Sequence, residues 1–287
     1  MCAGYYSYKS GHKPVFKGSE DFVGQIIHPQ EWNSTIDYEN KKVAVIGSGA
    51  TAVTLVPQIA KKASHVTMIQ RSPTYIASVP SKYKILHLLN YISPKFGYKI
   101  IRFTNILRQR RIYRRARRSP ELVKDYLLGL VRDELPDFDI EKHFTPSYNP
   151  WEQRLCLAPD SDFFESIKQK RVSIETETID SFSEKGVQLD SGKLIEADII
   201  VTATGIKLQN FGGIRIFVDE NEIDISKSFI YKSMMYTQIP NFINTFGYIN
   251  ASWTLKADLT SKYACRLINF MDDNNYAKCL PEAPEDL

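Results

Sequence analysis

The chain has 287 residues, of which 43% are hydrophobic and 24% charged, a balance that is typical of globular proteins and excludes a disordered or fibrous chain. Its net charge of +4 is mild, no apolar run is long enough to span a bilayer, and no signal peptide opens it. The four cysteines, Cys2, Cys156, Cys265 and Cys279, show neither a CxxC nor a metal-binding spacing. We therefore expect a cytoplasmic protein with reduced thiols and no metal site.

Residues 1–40 are predicted to be a connector, because Gly11, Pro14, Gly18 and Pro29 interrupt them. His28 lies among apolar neighbours, where a lone histidine is commonly a hydrogen-bonded structural residue. No partner for acid–base chemistry lies near it in the sequence.

Residues 43–69 have the pattern of a strand, a glycine turn, a helix and a second strand, which is that of a dinucleotide-binding unit. Gly47 permits a tight turn, and Gly49 lets the backbone approach a pyrophosphate. Ala52 allows the helix to pack closely on the strand, and the pyrophosphate is expected at the helix N-terminus. The predicted cofactor-binding residues of this turn are Gly47, Ser48, Gly49, Ala50, Thr51 and Ala52.

The end of the second strand indicates which dinucleotide is bound. An NAD or FAD site usually places Asp or Glu there, to accept a hydrogen bond from the ribose 2′-hydroxyl, whereas this chain has Gln70, Arg71 and Ser72. A cation and two hydrogen-bonding side chains suit a 2′-phosphate, so NADPH is favoured over NADH. The alternative is that Arg71 is an ordinary solvated arginine.

Pro73 and Pro80 are predicted to end regular structure, and residues 82–136 to be helical, with interruptions at Pro94, Gly97 and Pro120. A basic run within this segment comprises Arg108, Arg110, Arg111, Arg114, Arg115, Arg117 and Arg118. The run lacks a recognised nucleic-acid-binding fold, and neighbouring apolar residues could pack one helix face. We therefore predict a solvated basic helix without nucleic acid, with contact to anionic lipid at a membrane surface as the alternative.

Short strands and two helices are predicted for the second half of the chain. Residues 144–159 are aromatic and proline-rich, and are predicted to be irregular. Strands are predicted at 172–174, 187–189, 199–201 and 229–235, helices at 162–170 and 253–270, and a disordered tail at 281–287.

The motif Phe22-x-Gly24-x-x-x-His28-x-x-x-Trp32 matches FxGxxxHxxxW, the fingerprint between the two dinucleotide-binding domains of Baeyer–Villiger monooxygenases. Together with the glycine turn and the Gln70-Arg71-Ser72 strand end, it resembles this flavin-containing monooxygenase family. The resemblance covers nearly the whole chain: residues 149–156, 198–205 and 250–256 are similar to the subgroup that contains an ethionamide-activating monooxygenase.

The resemblance implies an α/β flavoprotein with two dinucleotide-binding domains. Residues 1–40 would be a remnant of the FAD-binding domain with its linker, and residues 41–205 the Rossmann-like NADP-binding domain, with a helical insertion at about 81–143. Residues 206–287 would return to the FAD-binding domain. The family begins with a GxGxxG unit for FAD that does not precede Phe22, and Met1 resembles a start inside a longer gene. A truncated enzyme is therefore expected, its FAD segment lost or on a separate chain.

The resemblance also implies chemistry and site residues. In the family NADPH reduces FAD, the flavin takes up O₂, and a C4a-peroxyflavin oxygenates a ketone or a sulfur atom. Arg154 matches the active-site arginine, a permanent cation suited to an anionic peroxide, unless it is a structural residue paired with Glu152 or Asp160. The implied cofactor contacts are Thr204, Gly205 and Asn250, and the implied domain-coupling residues are Phe22, Gly24, His28 and Trp32.

Two other functions stay open. The chain could be a non-catalytic NADP-binding remnant, or an NADPH-dependent flavoprotein reductase, which the lack of redox cysteines disfavours. Because FAD needs a glycine turn of its own, the chain alone is expected neither to hold FAD tightly nor to oxygenate a substrate. Apolar surface meant for the missing segment would be exposed.

Overall fold

The computed structural model describes residues 1–82, 93–248 and 251–283. The strands are β1 (Tyr6–Gly11), β2 (Gln25–Ile27), β3 (Lys42–Ile46), β4 (His65–Gln70), β5 (Tyr75–Val79), β6 (Leu155–Pro159), β7 (Val172–Thr176), β8 (Ile179–Ser183), β9 (Gly186–Leu189), β10 (Leu194–Glu196), β11 (Ile199–Thr202), β12 (Ile206–Leu208), β13 (Phe217–Val218), β14 (Asn221–Glu222), β15 (Ile230–Tyr231) and β16 (Met235–Tyr236). The helices are α1 (Ala50–Ile59), α2 (Pro94–Arg118), α3 (Pro120–Glu134), α4 (Ile140–Phe144), α5 (Asp162–Lys168) and α6 (Trp253–Asp273).

Two units divide the chain. The larger unit is Ser10–Gly205, and the smaller unit combines Met1–Lys9 with Ile206–Leu287. Residues 10–40 thus lie in the larger unit, where β2 is an edge strand of the main sheet, rather than forming only a connector. The assignment of 1–40 and 206–287 to an FAD-binding domain stays a prediction.

A five-stranded sheet in the order β2-β11-β3-β4-β7 forms the centre of the larger unit, and all four neighbouring pairs are parallel. Parallel strands covered on both faces have continuous apolar sequences, and β11 and the last four residues of β3 are fully buried. Helix α1 buries Ala52, Val53 and Val56 in the core on one face of the sheet. The strand–turn–helix–strand prediction is confirmed.

An antiparallel sheet of β8, β9 and β10 supplies the core on the other face. Its Phe182, Val187 and Ile195 pack with Ala44 of β3 and Ile200 of β11. The sequence predicted β9 but neither β8 nor β10, which alternate between inward and exposed residues over only three to five positions.

The helical insertion departs from its prediction at two points. Pro94 does not interrupt a helix but begins α2, with Ser93 as the N-cap, because proline needs no hydrogen-bond partner for a backbone N–H in the first turn. Gly97 lies inside α2 and is buried. Pro120 separates α2 from α3 as predicted. Residues 83–92 lie outside the described residues.

Strands β5 and β6 form a parallel pair where irregular structure was predicted. Their ladder runs from Tyr75 opposite Leu155 to Val79 opposite Pro159. Pro73 and Pro80 flank β5, and Pro159 ends β6. Burial of Tyr75, Ile76 and Cys156 stabilises the pair. Helix α5 agrees with its prediction to within two residues.

In its described residues the smaller unit contains three two-stranded sheets, β1–β12, β13–β14 and β15–β16, and helix α6. The single strand predicted at 229–235 is wrong: β15 and β16 form a hairpin, which turns at Lys232 and Ser233 with φ of 49° and 56°. Helix α6 is confirmed and extends to Asp273. Within the described ranges, no helix combines the length and apolar character needed to cross a membrane.

Candidate dinucleotide-binding site

The carboxyl ends of the parallel strands meet at one edge of the main sheet. Gly47 follows β3, Arg71 follows β4, the turn 203–205 follows β11, and His28 follows β2. The strand order reverses direction beside β3, since α1 leads from β3 to β4 while β11 lies on the other side. A crevice at this position is where open α/β sheets bind their ligands.

Gly47 makes the turn after β3 possible. Its φ is +125°, and a Cβ at this position would lie 2.5 Å from the carbonyl oxygen of Ala203. Its N–H donates to the carbonyl of Ile69 at 2.8 Å. The turn is therefore held between the ends of β4 and β11, and only glycine fits there without strain.

The N-terminus of α1 faces open space. Gly49 is the N-cap, no side chain caps the helix, and a Cβ on Gly49 would meet nothing within 4 Å. Ala50 and Thr51 are exposed, whereas Ala52 is fully buried in the core. The first N–H groups of the helix thus have no helical partner and suit an anion, while Ala52 packs the helix on the sheet.

Ser48 faces the protein rather than the open space. Its side chain is buried, and its hydroxyl donates to the carbonyl of Ser72 at 3.2 Å. The same oxygen accepts from Nη2 of Arg154 at 3.4 Å. Ser48 therefore connects the turn to the segment after β4 and to Arg154, a role that its position in a glycine turn did not indicate.

Gln70 differs from its predicted role as a cofactor contact. Its side chain is 2% exposed, and its Nε2 donates to the carbonyl of His143 and to Oγ1 of Thr176, both at 2.8 Å. Both amide hydrogens are used inside the protein. Gln70 therefore supports the end of β4 and does not offer its amide donors to a ligand.

Arg71 and Ser72 lie just after β4, at the same edge of the sheet. Both are exposed, and within residues 1–82, 93–248 and 251–283 the guanidinium of Arg71 makes no ion pair or hydrogen bond. An unpaired arginine at the end of the second strand can bind a 2′-phosphate without giving up an internal partner.

Arg154 lies at the glycine turn through its contact with Ser48. The alternative pairings are not seen: the Glu152 carboxylate accepts from the N–H and the side-chain amide of Asn149, and the Asp160 carboxylate accepts from Ser81. Among the described residues Arg154 has no acidic partner. An uncompensated cation therefore lies beside the predicted pyrophosphate position.

The turn after β11 is held by backbone and histidine contacts. The Thr204 hydroxyl donates to the carbonyl of His12 at 2.6 Å, so it is already occupied. The Gly205 carbonyl accepts from the His12 N–H at 3.0 Å and from Nε2 of His28 at 2.9 Å. Because Nδ1 of His28 accepts from the N–H of Gln30, the ring hydrogen lies on Nε2. His28 is thus a buried residue whose two ring nitrogens are both hydrogen-bonded.

The other fingerprint residues hold the segment around β2 in place. Phe22 is buried with the β8–β10 sheet, and a Cβ on Gly24 would collide with the Asp198 carbonyl and the Phe22 ring. Trp32 packs edge-on against Tyr38, with ring centroids 5.6 Å apart. Their part in domain coupling stays a proposal. Asn250, predicted as a cofactor contact, lies outside the described residues.

Sequence reasoning did not find Thr74 and Tyr148, whose hydroxyls meet beside Arg154. The Tyr148 hydroxyl donates to the Arg154 carbonyl at 2.9 Å and lies 2.9 Å from Oγ1 of Thr74. Burial raises the pKa of the adjacent Tyr75 to about 12. No short sequence pattern identifies Thr74 and Tyr148, because they are about 75 residues apart.

In the described part of the chain no cluster of His, Cys, Asp or Glu could hold a metal ion.

Residues 1–105 match the model of the flavin-binding monooxygenase-like family. The chain is 50% identical over 287 residues to the FAD-containing monooxygenase EthA of Mycobacterium tuberculosis, in an alignment that covers 99% of this chain and 59% of that protein. It is 48% identical over 286 residues to the probable FAD-binding monooxygenase AlmA of Acinetobacter baylyi, covering 99% of this chain and 57% of the relative. The chain thus spans about three fifths of the length of these relatives.

Solved structures share the fold. The complex of OTEMO with FAD and NADP matches with a TM-score of 0.68 at 20% identity, over 95% of this chain and 61% of that one. Oxidized steroid monooxygenase bound to NADP matches with a TM-score of 0.71 at 18% identity, over 96% and 62%. The predicted α/β fold class, which these structures share over about three fifths of their own length, is confirmed.

Proposed function

We propose, because this chain is related over nearly all of its length to FAD-containing monooxygenases, that it is part of an FAD-dependent, NADPH-using monooxygenase and that residues 10–205 bind the NADPH. One observation carries the NADPH assignment. The glycine turn opens the N-terminus of α1 to solvent at the same sheet edge where Arg71 is exposed and unpaired among the described residues. An anion site and a cation at the end of the next strand suit the pyrophosphate and the 2′-phosphate of one NADPH molecule.

The residues fit the two cofactors to different degrees. The N–H groups at the start of α1 would hold the NADPH pyrophosphate, and Arg71 and Ser72 would hold the 2′-phosphate. Gly205, exposed and without a neighbour where a Cβ would point, is proposed to lie against FAD together with Thr204, whose hydroxyl already bonds His12. When bound, the flavin would supply the activation of O₂, and the nicotinamide would supply the reducing equivalents.

Arg154 is the proposed catalytic residue. Its guanidinium cannot lose its proton, has no acidic partner among the described residues, and lies beside Ser48 of the turn. We assign it the stabilisation of negative charge that develops during oxygen transfer to a ketone or to a sulfur-containing substrate. If this is correct, Arg154→Ala in a full-length version carrying the relatives' FAD-binding segment abolishes product formation while flavin reduction by NADPH continues. Product formation at the unaltered rate would refute the role.

The cofactor preference is tested on the chain itself. We expect NADPH to bind at least about tenfold more tightly than NADH, because charge-assisted hydrogen bonds contribute about 1.5–3 kcal/mol. The measurement is a calorimetric titration at constant ionic strength, with Arg71→Ala expected to remove the preference. Arg171→Ala is the matched control, since this exposed arginine precedes β7 at the opposite edge of the sheet. Equal affinities in the unaltered chain would remove the argument for NADPH.

A second proposal concerns α2 and a membrane surface. This 25-residue helix contains two lysines, eight arginines and no acidic residue, and buries only Gly97 and Ala116. Phe96 and Phe103 are 51% and 62% exposed, and the spacing of seven residues places them on one helix face with Arg110. Exposed aromatic rings on a basic helix suit a bilayer of anionic lipids better than they suit water.

Vesicle sedimentation tests the membrane proposal. We expect binding to phosphatidylglycerol vesicles but not to phosphatidylcholine vesicles. Replacing Arg110, Arg114 and Arg117 with Gln should weaken binding by at least about tenfold, at about 1 kcal/mol for each cation. The control replaces three exposed cations elsewhere, Lys62, Lys170 and Arg171, with Gln. Equal loss in both variants would show a general charge effect and remove α2 from the proposal.

A further inference from the structure

The main-chain carbonyl of Arg154 is held by hydroxyl groups that take no part in the proposed cofactor contacts. The Tyr148 hydroxyl donates to the Arg154 carbonyl at 2.9 Å. The Thr74 hydroxyl lies 2.9 Å from the phenolic oxygen of Tyr148 and 3.5 Å from the Arg154 carbonyl, so both hydroxyls converge on that carbonyl. Thr74 is 1% exposed, so this bond also satisfies a buried polar group.

Tyr148 is itself fixed from the core. The Tyr75 hydroxyl donates to the Tyr148 carbonyl at 2.7 Å, and the two rings pack at 90° with centroids 5.4 Å apart. Tyr75 is 2% exposed and belongs to β5. The loop that carries Tyr148 is therefore tied by backbone and ring contacts to the strand that begins just after Thr74.

These contacts form a closed circuit with the glycine turn. Thr74 bonds Tyr148, Tyr148 bonds the Arg154 main chain, the Arg154 guanidinium bonds Ser48 at 3.4 Å, and Ser48 bonds the Ser72 carbonyl at 3.2 Å, two residues from Thr74. We propose that Thr74 and Tyr148 are positioning residues that hold the Arg154 guanidinium against the dinucleotide-binding turn. The role of Arg154 at the cofactor rests on the proposed function, whereas the contacts that hold its side chain do not.

The geometry is tested without any cofactor. Phenylglyoxal modifies accessible arginines, and peptide mass spectrometry measures the rate at Arg154 and, as an internal control, at Arg71. In Tyr148→Phe we expect modification of Arg154 to accelerate by about threefold to tenfold, the factor expected from the loss of one hydrogen bond, with Arg71 unchanged. Thr74→Val should act in the same direction, and Thr74→Ser, which keeps the hydroxyl, should restore the slow rate. Tyr126→Phe is the control, because Tyr126 is 65% exposed on α3.

A double-mutant cycle on NADP⁺ affinity distinguishes positioning from general support of the fold. Tyr148→Phe should weaken NADP⁺ binding by about threefold to tenfold when Arg154 is present, and have no further effect in an Arg154→Ala background. The same loss in both backgrounds, or an unchanged modification rate at Arg154, would overturn the proposal. A chain that binds no NADP⁺ but shows the faster modification would refute the proposed function and leave the positioning role supported.

Discussion

Substituting Gly47 with alanine tests whether the turn between β3 and α1 has the geometry described. The new side chain would have to adopt φ of +125°, and its Cβ would lie 2.5 Å from the Ala203 carbonyl oxygen. Backbone strain of this kind costs about 1–3 kcal/mol, and overpacking against a neighbouring strand adds about 1–3 kcal/mol. We therefore expect the larger unit to lose about 2–6 kcal/mol in its free energy of unfolding.

Gly49→Ala is the matched control for Gly47→Ala. Gly49 has an ordinary φ of −78° and no atom within 4 Å of the position of a Cβ. The free energy of unfolding should therefore change by less than about 1 kcal/mol, because the lower entropy of the unfolded chain roughly offsets the weaker N-cap. The methyl group would instead enter the space proposed for the pyrophosphate, and should weaken NADP⁺ binding by at least about tenfold, a loss of about 1.4 kcal/mol.

Hydrogen exchange of the β3 and β11 amides measures stability in the larger unit specifically. Each tenfold fall in protection corresponds to about 1.4 kcal/mol, so Gly47→Ala should lower protection by about thirtyfold or more. Calorimetric titration of NADP⁺ supplies the second measurement. The described geometry would be refuted by a Gly47→Ala variant with unchanged protection, or by a Gly49→Ala variant that loses stability as Gly47→Ala does.

The remaining predictions concern residues that support the same sheet edge. Gln70→Leu should cost about 1–3 kcal/mol of stability, measured by urea unfolding, because it leaves the His143 carbonyl and the Thr176 hydroxyl without their donor; loss of NADPH binding at full stability would contradict this. Burial lowers the pKa of His143 below its usual 6.5, and its Nδ1 lies 2.8 Å from Oγ1 of Thr176. The contribution of His143 to stability should therefore be full above about pH 6.5 and be lost as the pH falls through the lowered pKa. Unfolding midpoints from pH 8 to pH 5 check this, and His143→Gln should flatten the dependence. Gly11→Ala places a Cβ against the His28 ring and should cost about 1–3 kcal/mol, with Gly129→Ala, which meets no neighbour, as the control.

The sequence predicted the βαβ unit well because its signals are local. The apolar run before Gly47, the small residue Ala52 and the second apolar run lie within 30 residues, and each reports burial against its immediate neighbours. The closing helix was predicted for the same reason, since the 3.6-residue period is a property of the segment itself.

The predictions from sequence fail where two interacting residues or strands lie far apart in the chain. Strand β5 pairs with β6 across about 75 residues, so the prolines near both strands dominated the local pattern. Gln70 resembled a ligand contact because its position at a strand end is visible in the sequence, whereas its acceptors on His143 and Thr176 are not. The hydroxyls that hold Arg154 escaped notice for the same reason. The hairpin at Lys232 was missed because a turn built on two non-glycine residues with positive φ has no sequence signature.

The hydrogen bond from the His12 N–H to the Gly205 carbonyl, 3.0 Å long, has a practical consequence for engineering. It joins positions close to the first and last residues of the larger unit, so the segment 10–205 starts and finishes at one place. Such a segment is suited to circular permutation, in which a short Gly/Ser linker connects the old ends. New ends could open at the exposed turn around Gly192, between β9 and β10. A permuted segment of this kind would present the glycine turn and Arg71, which are proposed to bind NADPH, on one self-contained module.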